Sequence, residues 1–218
     1  MHFEVLVEDA SGAFAVRVLL EKILGPNGQY HSFRVHSYKG IGHIPKNLSA
    51  VADPQKRLLL DRLPAILRGY GRSLTNKAAV LIVVDLDDRD CIQFKNEMLA
   101  IFAVCQPRPD ALFRIAIEEV EAWYLGDNTA LRKAYPRVRE NVLNGYVQDS
   151  ICGTWEKLAD AIYPGGSSKL KRLGYPAVGA VKNEWAERIS PYLEPDLNVS
   201  KSFQVFRDAV RKVAGIQG

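Results

Sequence analysis

The sequence predicts an α/β fold, a parallel sheet flanked by helices with a helical elaboration at its C-terminal end. Three observations lead there. The run Ala79-Val80-Leu81-Ile82-Val83-Val84 is short, β-branched and uninterrupted, the pattern of a strand buried on both faces. Around it, strand-like and helix-like stretches alternate as β-α-β-α-β-α-β-α up to Asp127, which implies parallel strands joined by helical crossovers. Beyond Asp127 only helical stretches remain. Residues 1–127 are read as the sheet domain and 128–218 as helices packed on it.

Phe3 to Glu8 is the first expected strand, and Ser11-Gly12 leads into a helix with Phe14, Val18, Leu19, Ile23 and Leu24 near a 3.6-residue period. Gly25-Pro26-Asn27-Gly28 stops it. Tyr30 to His36 alternates as a second strand and is followed by the glycine loop Lys39–His43, where His43 and Lys46 read as surface polarity. A second helix is expected from Asp53-Pro54 to about Gly69, kinked or split at Pro64. After the central strand an amphipathic helix runs from about Asp90 to Val104, with Asp87 or Asp88 as its expected cap. Leu112 to Ile117 is the fourth strand, and Glu118 opens the next helix. Further helices are expected around 128–134, 153–162, 177–189 and 201–213.

Composition excludes several classes. Hydrophobic residues at 47% and charged residues at 25% match an ordinary globular protein. No apolar run is long enough to span a bilayer and no basic, then apolar, leader opens the chain, so a cytoplasmic protein without a membrane partner is expected. Cys91, Cys105 and Cys152 make no C-x-x-C pair, and His2, His31, His36 and His43 make no zinc spacing. The net charge is +4, and residues 166–218 hold nine basic against five acidic side chains. The stretch Glu118–Asp127 carries four acids and no base. An acidic centre with a basic flank suits a metal site that receives a polyanion.

The carboxylates carry the chemistry. Asp85, Asp87 and Asp88 close the central strand, Glu8 closes the first, and Glu118 and Glu121 follow the fourth. In a parallel sheet those ends share one edge, the edge where open α/β folds place ligands. Along an extended backbone Asp85 and Asp87 would face one side and Asp88 the other. Glu118 and Glu121, three apart, would share one helical face. Carboxylates so gathered repel one another unless cations lie between them, and Mg²⁺ or Mn²⁺ prefers such oxygen donors.

A glutamate ending the first strand, then a helix, then D-x-D ending a later strand, resembles the Toprim pattern of topoisomerases, primases and OLD (overcoming lysogenization defect) nucleases. More closely, Val7-Glu8-Asp9, Val84-Asp85-Leu86-Asp87-Asp88, the stretch Ile117–Asp127 with its E-x-E-A-W-x-L-x-D pattern, and Lys201-Ser202-Phe203-Gln204-Val205-Phe206 resemble a Toprim-like family of unknown function related to OLD-type nucleases. Asp9 stands where that family usually has glycine. The resemblance implies a metal-dependent nuclease with Glu8 as the catalytic proton-transfer group or a metal ligand, Asp85 and Asp87 as metal ligands, and Glu118 and Glu121 supporting a second ion. It also implies a partner ATPase of the ABC or OLD type encoded nearby, and a setting in phage defence.

Each of these residues has a plainer reading. Glu8 or Asp88 could cap a helix, and Glu118 and Glu121 could lie on a solvated face. Trp123 and Leu125 read as core. Gly165-Gly166-Ser167-Ser168-Lys169 lacks phosphate-loop spacing and reads as a linker, or as a basic loop in which Lys169 meets a phosphate backbone. Lys201, Arg207 and Arg211 lie on the last helix, which Ser200 or Ser202 would cap. Arg207 and Arg211 are i,i+4 and could hold DNA or RNA by its backbone. The alternative function is a non-catalytic Toprim-fold sensor or adaptor for nucleic acid or a partner protein. A third is a regulatory domain for a small phosphorylated ligand.

Overall fold

The computed structural model describes residues 1–45, 56–150 and 153–216. Four strands, β1 (His2–Val7), β2 (Ser32–Ser37), β3 (Ala78–Asp85) and β4 (Ala111–Ala116), form an all-parallel sheet in the order β2-β1-β3-β4. The chain leaves β1 toward β2 and later leaves β3 toward β4. Adjacent strands β1 and β3 therefore send their connections in opposite directions, which opens a crevice at their carboxyl ends.

Alternation along the strands divides the core. Phe3, Val5, Val7, Ala79, Leu81 and Val83 face a cluster shared with α1 (Ala10–Leu24), whereas Leu6, Val80, Ile82 and Val84 face α2 (Leu59–Ser73) and α3 (Cys91–Val104). Short helices α4 (Glu121–Leu125), α5 (Asn128–Ala134) and α6 (Glu140–Asn144) follow the sheet, then α7 (Thr154–Ile162), α8 (Gly166–Arg172), α9 (Tyr175–Ile189) and α10 (Lys201–Ala214). These join the α1 side: α9 lies against α1, and α10 against α1 and β4. Trp123, fully buried, donates its indole N–H to Ser202 Oγ at 3.0 Å and packs against both Phe203 and Phe206. The expected core role of Trp123 and Leu125 matches their burial.

Several local expectations change. Asp9, not Glu8, caps α1, accepting from the Gly12 amide at 2.7 Å and the Ser11 hydroxyl at 2.8 Å. Asp90, not Asp87 or Asp88, caps α3 through the Gln93 amide at 2.7 Å. Ser200 caps α10. Pro64 does not split α2, which is continuous from Leu59; Pro64 lies in its second turn and is buried. The expected start at Asp53-Pro54, like Lys46 and Cys152, lies outside the described residues. Of the Gly165–Lys169 run, read as a linker or basic loop, Gly166 to Lys169 lie in helix α8 (Gly166–Arg172). Among the described residues no helix is long and apolar enough to cross a membrane.

Candidate functional site

Glu8 and Asp85 meet in the crevice between β1 and β3. The Asp85 amide donates to Glu8 Oε2 at 3.4 Å, and Asp85 Oδ1 accepts from the Val120 amide at 3.1 Å. Asp87 does not continue the strand. Its φ of +53° puts it in a turn, its amide bonds to the Glu118 carbonyl at 3.0 Å, and its side chain, 45% exposed, pairs with Arg89 at 3.4 Å. The alternation expected for Asp85 and Asp87 thus does not apply, because it requires an extended backbone. Both carboxylates nonetheless act on Glu8 or are acted on by it.

Glu118 and Glu121 do not share a helical face. Glu118 precedes α4 with φ +67°, and its buried carboxylate accepts from the Thr154 amide at the start of α7 at 3.2 Å. Glu119 takes the expected place beside Glu121. Its Oε2 accepts from the Thr154 hydroxyl and the Trp155 amide, and its Oε1 lies 3.2 Å from Lys182 Nζ. Glu121, 3% exposed, lies 3.2 Å from the same ammonium.

Lys182, on α9, is the residue that sequence reasoning missed, counted there only within the basic tail. A signal existed: Val178, Lys182, Trp185, Ala186 and Ile189 fall at i, i+4, i+7, i+8 and i+11, so the lysine sits in an apolar stripe. Burial would lower its pKa, but Glu121, Glu119, Asp85 and Asp9 outweigh burial and hold it well above the usual lysine range.

The acids respond in the opposite sense. Burial first, then the Asp87 charge, pushes Glu8 from 4.5 to about 7. Asp85 is driven well above its ordinary range by burial and then by Glu8. Burial also lifts Glu121 to about 7, against the pull of Lys182. One ammonium does not neutralise this edge. Among the described residues, no three His, Cys, Asp or Glu side chains stand in an arrangement that could hold a metal ion as they are. The donor chemistry fits one, because Glu8, Asp85 and Asp87 offer oxygen donors whose mutual repulsion a hard cation would relieve.

The basic residues expected to meet nucleic acid divide. Arg211 forms a two-pronged pair with Asp196 at 2.7 and 2.9 Å, and Arg207 pairs with Asp196 and Asp208 and donates to the Pro195 carbonyl. Lys169 and Lys201 are exposed on α8 and α10.

No family model matches the sequence, and no curated protein matches it. Among solved structures the chain is similar to the C-terminal region of the OLD protein of Xanthomonas campestris pv. campestris, at 13% identity and a TM-score of 0.50. The match covers 98% of this chain and 95% of that one. At that identity the likeness is one of fold: a parallel sheet flanked by helices, followed by a helical region.

Proposed function

We infer that the chain is a cytoplasmic, Mg²⁺- or Mn²⁺-dependent phosphodiesterase acting on nucleic acid. The observation that carries the reading is the pairing of Glu8 with Asp85 at the strand-order switch, both with raised pKa and with Lys182 as the cation beside them. The OLD-like fold and the sequence motifs support it.

Asp85 and Asp87 would hold the ion, with Glu8 in reach and Glu121 paired with Lys182. A bound divalent cation would activate water and offset charge on an in-line phosphodiester displacement. Glu8, beside the ion's place, would act as the general acid/base that passes the proton. Lys182 keeps Glu119 and Glu121 oriented. Glu118 contributes from behind, by fixing the start of α7. The resemblance to OLD-type nucleases also supports a partner ATPase and a role in phage defence, which co-purification with the product of a neighbouring ATPase gene would test.

The decisive experiment compares wild type with an Asp85→Ala/Asp87→Ala double variant on supercoiled plasmid, single-stranded DNA and tRNA with Mn²⁺ or Mg²⁺. Metal-dependent cutting by wild type alone is expected. Equal cutting by both proteins, or no calorimetric Mg²⁺ or Mn²⁺ binding by wild type, would sink the reading.

A further inference from the structure

A second concave site lies away from the acidic edge. A cavity of about 600 Å³ opens between the α5–α6 connection, the end of α7 and the C-terminal half of α9. Its charged lining is Arg137, Arg139, Arg188 and Glu184. Three guanidinium groups face one carboxylate, whereas Arg207 and Arg211 on α10 are occupied by Asp196.

The arginines are held in place without all being neutralised. Arg139 donates to the main-chain carbonyls of Asp160 and Tyr163, the latter at 2.8 Å. Carbonyls fix its direction and leave its charge, while the Asp160 carboxylate is turned to the Ser167 amide at 2.7 Å. Arg188 lies over the Tyr135 ring, 4.2 Å from its centroid, and is shared between the Ala134 carbonyl and Glu184. Arg137 is exposed at the mouth. Pro164 lines the cavity, and at Gly165 (φ +93°) an added Cβ would stand 2.5 Å from Lys169 Cδ. Glycine there leaves room for the lysine stem to fold over the turn. Tyr135 and Tyr163 supply aromatic wall.

We propose that this cleft binds the phosphate of a nucleotide unit, with the arginines on the phosphate oxygens and the tyrosine wall against the sugar or base. Guanidinium groups held in fixed orientations match phosphate oxygens in geometry as well as charge, and the volume lies in the range of small-ligand sites. The unit comes either from a free nucleotide or from a nucleic-acid strand. The strand source rests on the phosphodiesterase reading. Lys182 and Arg188 are six residues apart on α9, about 9 Å along its axis and about 120° around it, so a strand that used both sites would pass around the helix.

The test is fluorescence anisotropy in EDTA, so that cleavage plays no part, with labelled dT10 and a labelled ATP analogue. Wild type is compared with Arg137→Glu, Arg188→Gln and a control, Lys95→Glu, which makes the same charge change on exposed α3. Circular-dichroism melts confirm that each variant is folded. Roughly ten-fold weaker binding is expected for Arg137→Glu, with a smaller salt dependence, and less than two-fold for Lys95→Glu. Binding of the ATP analogue that unlabelled AMP displaces assigns a free nucleotide; binding of dT10 alone assigns a strand. If neither probe binds wild type, or both arginine variants bind as wild type does, the proposal fails. The outcome is separable from that at the acidic edge, because Asp85→Ala/Asp87→Ala leaves this cleft intact.

Discussion

Glu4, buried, and Glu8, half-buried, are four residues apart at one strand, and their environments push them in opposite directions. Glu4 is 7% exposed on the α2 side of the sheet. Its carboxylate meets His36 Nε2 at 2.6 Å, His2 Nε2 at 3.2 Å and the Tyr70 hydroxyl at 3.2 Å. Burial would raise its pKa; these partners outweigh burial and lower it. Glu8 has one long bond from a main-chain amide and carboxylates as neighbours, so burial and then Asp87 carry it to about 7. Burial acts with the same sign on both. What differs is whether the fold supplies donors, as at Glu4, or leaves the charge to be met from outside.

The contrast extends to linkage. Glu4 binds fewer protons folded than unfolded, so it adds stability above its ordinary range and loses it as pH falls. Glu8 binds more protons folded than unfolded between 4.5 and about 7, so stability falls as pH rises through that window. One end of the strand is built to be stable at neutral pH. The other is stabilised by acid.

The sharpest way to break the comparison is at the cation. Lys182→Met leaves Glu119 and Glu121 buried without their ammonium, at a cost of about 3–5 kcal/mol. Urea melts of the variant should show it, and adding Glu119→Gln and Glu121→Gln should recover most of the loss. An unchanged melt for the single variant would mean that these acids already carry protons and that Lys182 pairs with nothing of consequence. The next largest effect is expected at Glu4. Glu4→Ala strips His36, His2 and Tyr70 of their shared acceptor and should cost about 1–3 kcal/mol, with cleavage unaffected apart from lower stability.

Much of the fold was legible because it rests on pattern. The run from Ala79 to Val84 is buried on both faces and could be read without any contact in view. Convergence of Glu8 with Asp85 followed from parallel topology alone. What failed was local backbone geometry and distant pairing. A positive φ at Asp87 and at Glu118 turns each side chain away from the periodic expectation, and no periodicity encodes such a turn. Glu119 therefore replaced Glu118 beside Glu121. Arg207 and Arg211 read as free cations because Asp196, which holds them, lies in a loop. Lys182 was hidden by being one basic residue among many, although its apolar helical neighbours marked it as buried.

The finest test acts on Glu8 alone. Glu8→Gln keeps an acceptor for the Asp85 amide and removes the charge that burial, Asp87 and Asp9 oppose. Metal-free variant should melt several °C above wild type at pH 8, where the wild-type carboxyl is forced to ionise in the folded state, and the gap should narrow toward pH 5, where the folded carboxyl stays neutral. Mg²⁺ should then raise the wild-type melting temperature at pH 8 by more than the variant's, since the ion also relieves a repulsion that the variant has already lost. A variant that instead melts lower than wild type at pH 8 would place Glu8 with Glu4, as a carboxylate whose charge the fold already satisfies. In that case the carboxyl ends of β1 and β3 would hold a structural ion-pair network, and a cation would have no repulsion there to relieve.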